Sequence, residues 1–131
     1  MIKKTITFTD YEGMERTEDF YFNLNRAELA EMELSIHGGL SKRLEKVAQM
    51  KDAPKVAEFF KEIILKAYGV KSDDGRRFMK VDENGRPYYK DFEQTEAYVE
   101  LYMEMLNDAD VAAAFFNGIV PPQNKMTPPT K

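Results

Sequence analysis

Ile2-Lys3-Lys4-Thr5-Ile6-Thr7-Phe8-Thr9-Asp10-Tyr11-Glu12-Gly13-Met14 is the stretch that decides the fold. Ile2, Ile6 and Phe8 fall in one phase and Lys3, Thr5 and Thr7 in the other, a period of two rich in β-branched residues, which specifies a strand. Asp10-Tyr11-Glu12-Gly13 has the aspartate-first, glycine-last form of a tight turn. Beyond it Met14, Phe20 and Phe22 are in phase, so Met14 to Phe22 is a returning strand. Residues 1–22 therefore predict a β-hairpin.

Outward from the hairpin the period changes to that of helices. Asn25 followed by Glu28 is a capping-box pattern, with Leu24 placed to pack on Leu29 as a hydrophobic staple, so a helix begins near Arg26 and ends at Gly38-Gly39. Leu40, Leu44, Val47 and Ala48 form a second stripe that closes near Asp52, a cap for a third helix with Pro54 in its first turn. In that third helix Val56, Phe59, Phe60, Ile63, Ile64 and Ala67 recur at three- and four-residue steps, and Gly69 stands where a C-terminal glycine belongs.

Between Val70 and Asp91 periodicity fails. Asp74-Gly75 and Asn84-Gly85 signal turns and Pro87 blocks a helix interior, which leaves a long connector of the kind that often carries function. Helical spacing returns from Phe92 to Leu106, and a short last helix from Asp110 to Asn117 stops at Gly118 ahead of Pro121-Pro122. The expectation is an α+β fold: a hairpin followed by a mainly α-helical body of about five helices over 25–118. It forms one domain over 1–120 with a Pro-rich, disordered tail at 121–131.

Composition narrows the function. A chain of 131 residues, 43% hydrophobic and 32% charged, suits a single globular domain. It contains no cysteine, hence no disulfide framework and no thiolate nucleophile, which fits the cytoplasm. No apolar run approaches the roughly 20 residues of a membrane span, and Met1 to Thr5 leads into a strand rather than a signal-peptide core. A net charge of -4 opposes attraction of the whole molecule to nucleic acid or an anionic membrane.

Chemistry is hard to find. The single histidine, His37, lies beside Gly38-Gly39, where a cation favours a helix end, and a lone histidine cannot specify a metal site. Ser35, Ser41 and Ser72 belong to no nucleophile motif. Asp73-Asp74 and Glu28, Glu31 and Glu33 are carboxylates that could in principle hold a divalent cation or act as acid and base, and Asp82-Glu83-Asn84-Gly85 lacks the offsets of an EF-hand. With no phosphate loop, dinucleotide fingerprint or metal spacing, the sequence predicts no enzyme, no cofactor and no metal.

Charge is distributed more tellingly. Residues 1–39 carry 4 basic and 8 acidic side chains, 40–90 carry 13 and 8, and 91–131 carry 2 and 7. A basic centre between acidic ends suits either pairing within the fold or association with another chain. In the helix after Phe92, the apolar residues Tyr98, Val99, Leu101, Tyr102, Met103, Met105 and Leu106 cover about 200°, roughly twice the minimum core stripe. Glu96, Glu100 and Glu104 occupy the remainder. Like charges four apart disfavour the helix, so this ladder calls for a basic neighbour, for which the 71–90 block is one candidate.

Several stretches together resemble a known family: Thr9-Asp10-Tyr11 with Gly13, Thr17-Glu18-Asp19-Phe20-Tyr21-Phe22-Asn23-Leu24, Asp74-Gly75-Arg76-Arg77-Phe78, Gln94-Thr95-Glu96-Ala97-Tyr98 and Phe116-Asn117-Gly118-Ile119-Val120-Pro121. In this order, over about residues 1–121, they resemble the tail assembly chaperones of long-tailed, siphovirus-type phages and prophages of Gram-positive bacteria. Val81 to Asp91 is more turn-like than the helical lead-in that family implies. The resemblance implies a non-enzymatic protein of the host cytoplasm that coats the tape measure protein, helps recruit tail tube subunits, self-associates and does not remain in the virion. It also implies that the tail from Pro121 could serve as a linker to a frameshifted longer form. Partner binding is expected at Arg76, Arg77 and Phe78 of the connector and at Tyr98 and Tyr102, with no nucleic acid and no membrane involved. The alternative is a small regulatory DNA- or protein-binding module using Arg76, Arg77, Lys80, Arg86 and Lys90 on phosphate, a basic run that lacks a recognition helix.

Overall fold

The computed structural model describes residues 1–32 and 53–121 together with Arg43, Lys46 and Gln49. Strands β1 (Ile2–Thr9) and β2 (Glu15–Phe22) pair antiparallel from Ile2↔Phe22 to Thr9↔Glu15, the expected hairpin. Ile6 and Phe8 are buried on its inner face. On the outer face the Thr5 hydroxyl donates to Asp19 at 2.6 Å, and Thr7 and Thr17 share a hydroxyl bond at 2.9 Å. The apolar phase of β2 is confined to Phe20 and Phe22. Toward the turn it is taken by Arg16 and Glu18, an ion pair at 3.5 Å, with Arg16 also 2.6 Å from Asp10.

The sheet extends beyond the hairpin into the segment expected to be only a connector. Helix α2 (Ala53–Ala67) runs straight into β3 (Tyr68–Lys71), which pairs with the end of β2 through Tyr21↔Gly69 and Phe22↔Tyr68. Strand β4 (Phe78–Met79) adds through Val70↔Met79, giving an antiparallel order β1-β2-β3-β4. Strands of four and two residues are too short to show a period of two, so the sequence displays only the turns between them.

Two glycines have roles other than stopping helices. Gly69 lies inside β3, and a Cβ there would stand 2.6 Å from Phe78 Cε2 and 2.9 Å from the Met79 carbonyl oxygen. Gly118 lies inside the last helix, α5 (Ala109–Ile119), where a Cβ would meet Ile2 Cδ1 at 2.7 Å. Each permits a close approach between elements, and that requirement reads in sequence like a helix end.

The first helix, α1 (Arg26–Glu31), begins with the complete capping box: the Glu28 N–H donates to Asn25 Oδ1 at 2.8 Å and the Asn25 N–H to Glu28 Oε1 at 2.9 Å. It ends at Met32 as C-cap, earlier than Gly38-Gly39, which with His37, Glu33, Leu40, Leu44, Val47, Ala48, Asp52 and the tail from 122 lie outside the described residues. Arg43, Lys46 and Gln49 are helical and exposed. The helix expected from Phe92 is two: α3 (Tyr89–Phe92) and α4 (Glu96–Asn107), with the Thr95 hydroxyl accepting from the Tyr98 N–H as N-cap of α4. The whole is α+β, as the sequence predicts.

The core lies between the inner face of the sheet and the helices. Phe22, Leu24, Leu29, Ile63, Ile64, Phe115 and Ile119 are fully buried or nearly so. Phe92 stacks on Tyr68 with centroids 4.2 Å apart and meets Phe22 edge-on at 5.8 Å. Backbone bonds join the hairpin exit to the helices: Asn23 N–H donates to the Ala67 carbonyl at 2.8 Å and Leu24 N–H to the Ile119 carbonyl at 2.7 Å.

Candidate protein-interaction site

Arg76 and Arg77 lie in the turn between β3 and β4, and that turn is built by its own side chains. The buried Ser72 hydroxyl donates to Asp74 Oδ1 at 2.7 Å and accepts from the Arg77 N–H at 3.0 Å, while Asp74 Oδ1 also accepts from the Arg76 N–H at 3.0 Å. These donors hold the Asp74 carboxyl below the usual carboxylate range. The Ser72 N–H donates to the Arg77 carbonyl and the Gly75 N–H to the Ser72 carbonyl, both at 2.9 Å, with Gly75 at φ 75° as only glycine adopts readily. Asp10–Met14 and Asp82–Arg86 close in the same way. The two arginine side chains are thus exposed on a fixed backbone, and Phe78, half-buried, covers Gly69 beside them.

The basic run does not form one patch. Lys80 turns inward: its ammonium is 2.7 Å from Glu28, donates to the Lys66 carbonyl at 2.6 Å and lies over the Phe78 ring, with burial lowering its pKa. Arg86 pairs with Asp91 at 2.9 Å. A cavity of about 290 Å³ next to this ion pair is lined by Leu24, Glu28, Met32, Lys80, Pro87 and Tyr89, and contains none of the expected partner-binding residues.

Helix α4 divides into four sectors. At 100° per residue, Ala97, Leu101 and Met105 span about 80° and are buried. Tyr98 and Tyr102 come next and are half-buried: they stack on each other at 5.7 Å, Tyr98 meets Phe92 edge-on at 5.8 Å, and the Tyr102 hydroxyl reaches the Ala57 carbonyl at 3.4 Å. Burial, with Tyr102 and Glu93 adding to it, pushes the Tyr98 hydroxyl up to about 12. Opposite the core, within about 60° of one another, stand Val99, Met103 and Leu106, exposed by 38%, 46% and 38%. The sequence shows the excess of apolar arc, whereas only the packing shows which part of it remains outside.

Glu96, Glu100 and Glu104 fill the fourth sector. The neighbour of this ladder is β1 and the hairpin turn rather than the 71–90 block: Lys4 approaches Glu104 at 3.7 Å and the Tyr11 hydroxyl donates to Glu96 at 2.6 Å. Glu100 makes no hydrogen bond or ion pair among the described residues. Tyr98 and Tyr102 are therefore brought together with this outward ridge, while Arg76, Arg77 and Phe78 belong to a separate element of the molecule.

Among the described residues no group of three or more His, Asp or Glu is placed to hold a metal ion, and no helix is long and apolar enough to cross a membrane. No curated protein and no solved structure matches the chain. A family model described as phage tail assembly chaperone matches residues 1–127. With that match over nearly its whole length, beside a sheet-and-helix fold that leaves an apolar helix face uncovered, the chain belongs to the phage tail assembly chaperone family.

Proposed function

We propose that the protein binds the tape measure protein during tail assembly in the host cytoplasm and helps to bring tail tube subunits to it. The observation that carries this reading is the outward face of α4, where Val99, Met103 and Leu106 repeat at four and three residues, the spacing with which one helix receives another. Tyr98 and Tyr102 border that ridge, and Arg76, Arg77 and Phe78 offer a second, basic contact.

The magnitudes favour many weak sites over one strong one. Full burial of a Val, Leu or Met side chain contributes roughly 1.5–3 kcal/mol, so covering the exposed 38%, 46% and 38% yields roughly 2–4 kcal/mol in all. Association alone costs about 4–15 kcal/mol. A single ridge therefore binds only weakly, and repeated copies along a long helical partner, with help from charge, make binding effective. Co-expression tests the reading: the tape measure protein should be soluble with this chain and aggregate without it, and equal aggregation in both would reject the function.

A further inference from the structure

The acid ladder of α4 says more about the partner than the apolar ridge does. Glu96, Glu100 and Glu104 run beside Val99, Met103 and Leu106 along the whole helix, on one flank only; the other flank is Tyr98 and Tyr102. Charges of one sign at four-residue steps disfavour the helix that carries them. Within the molecule the ladder is served by Lys4, 3.7 Å from Glu104, and by the Tyr11 hydroxyl on Glu96, while Glu100 is exposed and makes no polar contact among the described residues. Lys80, Arg86 and Lys61 pair elsewhere, with Glu28, Asp91 and Glu93.

We infer that α4 receives an amphipathic helix whose apolar seam is bordered by lysine or arginine on the side facing Glu96, Glu100 and Glu104. This rests on the tape-measure reading and names the kind of segment that reading requires. Apolar residues of the partner at four- and three-residue steps seat on Val99, Met103 and Leu106, and its cations complete the ladder at Glu100 first. Because the acid lies on one flank, it also sets direction. Looking from the N-terminus of α4, the ladder lies clockwise of the ridge, so a partner with cations at the heptad g positions docks parallel and one with cations at e docks antiparallel.

The test uses two synthetic helical peptides of about three heptads (roughly 21 residues) with leucine at a and d and either lysine or glutamate at e and g. Titrated by fluorescence anisotropy at low salt, the lysine peptide should bind at least roughly tenfold tighter than the glutamate peptide, and the difference should shrink at about 0.5 M salt. Glu100→Lys should reverse much of the preference. Met103→Glu should remove binding of both peptides while the circular dichroism spectrum stays that of wild type, because Met103 is 46% exposed. Equal binding of the two peptides, lysine-peptide binding that survives both substitutions, or a dimer of the chain itself abolished by Met103→Glu would overturn the inference. Were the tape measure protein still kept soluble by wild type in any of those cases, the function would stand and only this partner chemistry would fall.

Discussion

Replacing Gly69 with alanine tests how the connector joins the sheet. At an ordinary backbone conformation, glycine to alanine restricts the unfolded chain and stabilises by about 0.4–1 kcal/mol. Here the new methyl would stand 2.6 Å and 2.9 Å from Phe78 Cε2 and Cζ and 2.9 Å from the Met79 carbonyl oxygen. The ring can turn away, but the carbonyl is held by the Val70↔Met79 pairing of β3 and β4. Overpacking of this kind costs about 1–3 kcal/mol, so the clash outweighs the gain and a net loss of about 1–2 kcal/mol is expected. For a chain of this size that is a fall in Tm of roughly 3–10 °C, readable by thermal circular dichroism. In a Phe78→Ala background the same change should cost about 1 kcal/mol less, since the ring part of the clash is gone. An unchanged Tm for Gly69→Ala would refute the seating of β4 on β3. A cost unaffected by Phe78→Ala would mean that the glycine acts through the end of α2.

Three further outcomes are expected. Phe60→Ala and Ile64→Ala should each destabilise the fold by roughly 2–5 kcal/mol in urea unfolding, because both side chains are buried on α2; an unchanged midpoint would place that stripe outside the core. Reversing Arg76 and Arg77 to glutamate should weaken tape measure binding in a pull-down and alter stability by under about 0.5 kcal/mol each, since both are exposed in a turn whose bonds come from Ser72 and Asp74; undiminished binding would remove the turn from the interface. Asp10, held down by the Arg16 guanidinium and the Met14 and Glu12 N–H groups, and Asp74, held down by the Arg76 N–H and the Ser72 hydroxyl, both titrate below 3.8. Depressed carboxyl pKa values stabilise fully above the unfolded value and lose that contribution as pH falls through the folded one, so both turns loosen only in acid. Carboxyl NMR titration midpoints at or above 3.8 would contradict this.

How far the fold was legible follows from the length of each signal. β1 and β2 span eight residues each, the capping box is a two-residue pattern with one meaning, and α2 repeats its stripe over fifteen residues, so all three were readable. β3 and β4 were not, because strands of four and two residues show no period of two and the register of β3 is set by the distant edge of β2 at Tyr21 and Phe22. Gly69 and Gly118 misled for the same reason: what each needs is room for Phe78 or Ile2, a requirement imposed by a remote element. In the same way Thr95 caps α4 only once α3 has ended at Phe92. At the site, the surplus of apolar arc on α4 was plain, but its division between Tyr98 and Tyr102 on the packed side and Val99, Met103 and Leu106 on the open side depends on Phe92 and Ala57. The charge blocks were legible as composition, while their pairing, Lys4 with Glu104 and Lys80 with Glu28, was fixed by the fold.

The central claim is that this chain holds the tape measure protein on the outward face of α4. Its most direct measurement is the amount of tape measure protein that co-purifies with wild type and with Met103→Glu at matched expression, after thermal unfolding has shown the two chains to be equally stable. Met103→Glu removes that side chain's own share of the ridge, roughly 0.7–1.4 kcal/mol of apolar contact per copy at 46% exposure, and places a carboxylate beside Glu100; summed over copies along the partner, co-purification with the variant is expected to fall at least roughly tenfold. Equal recovery with both chains would contradict it.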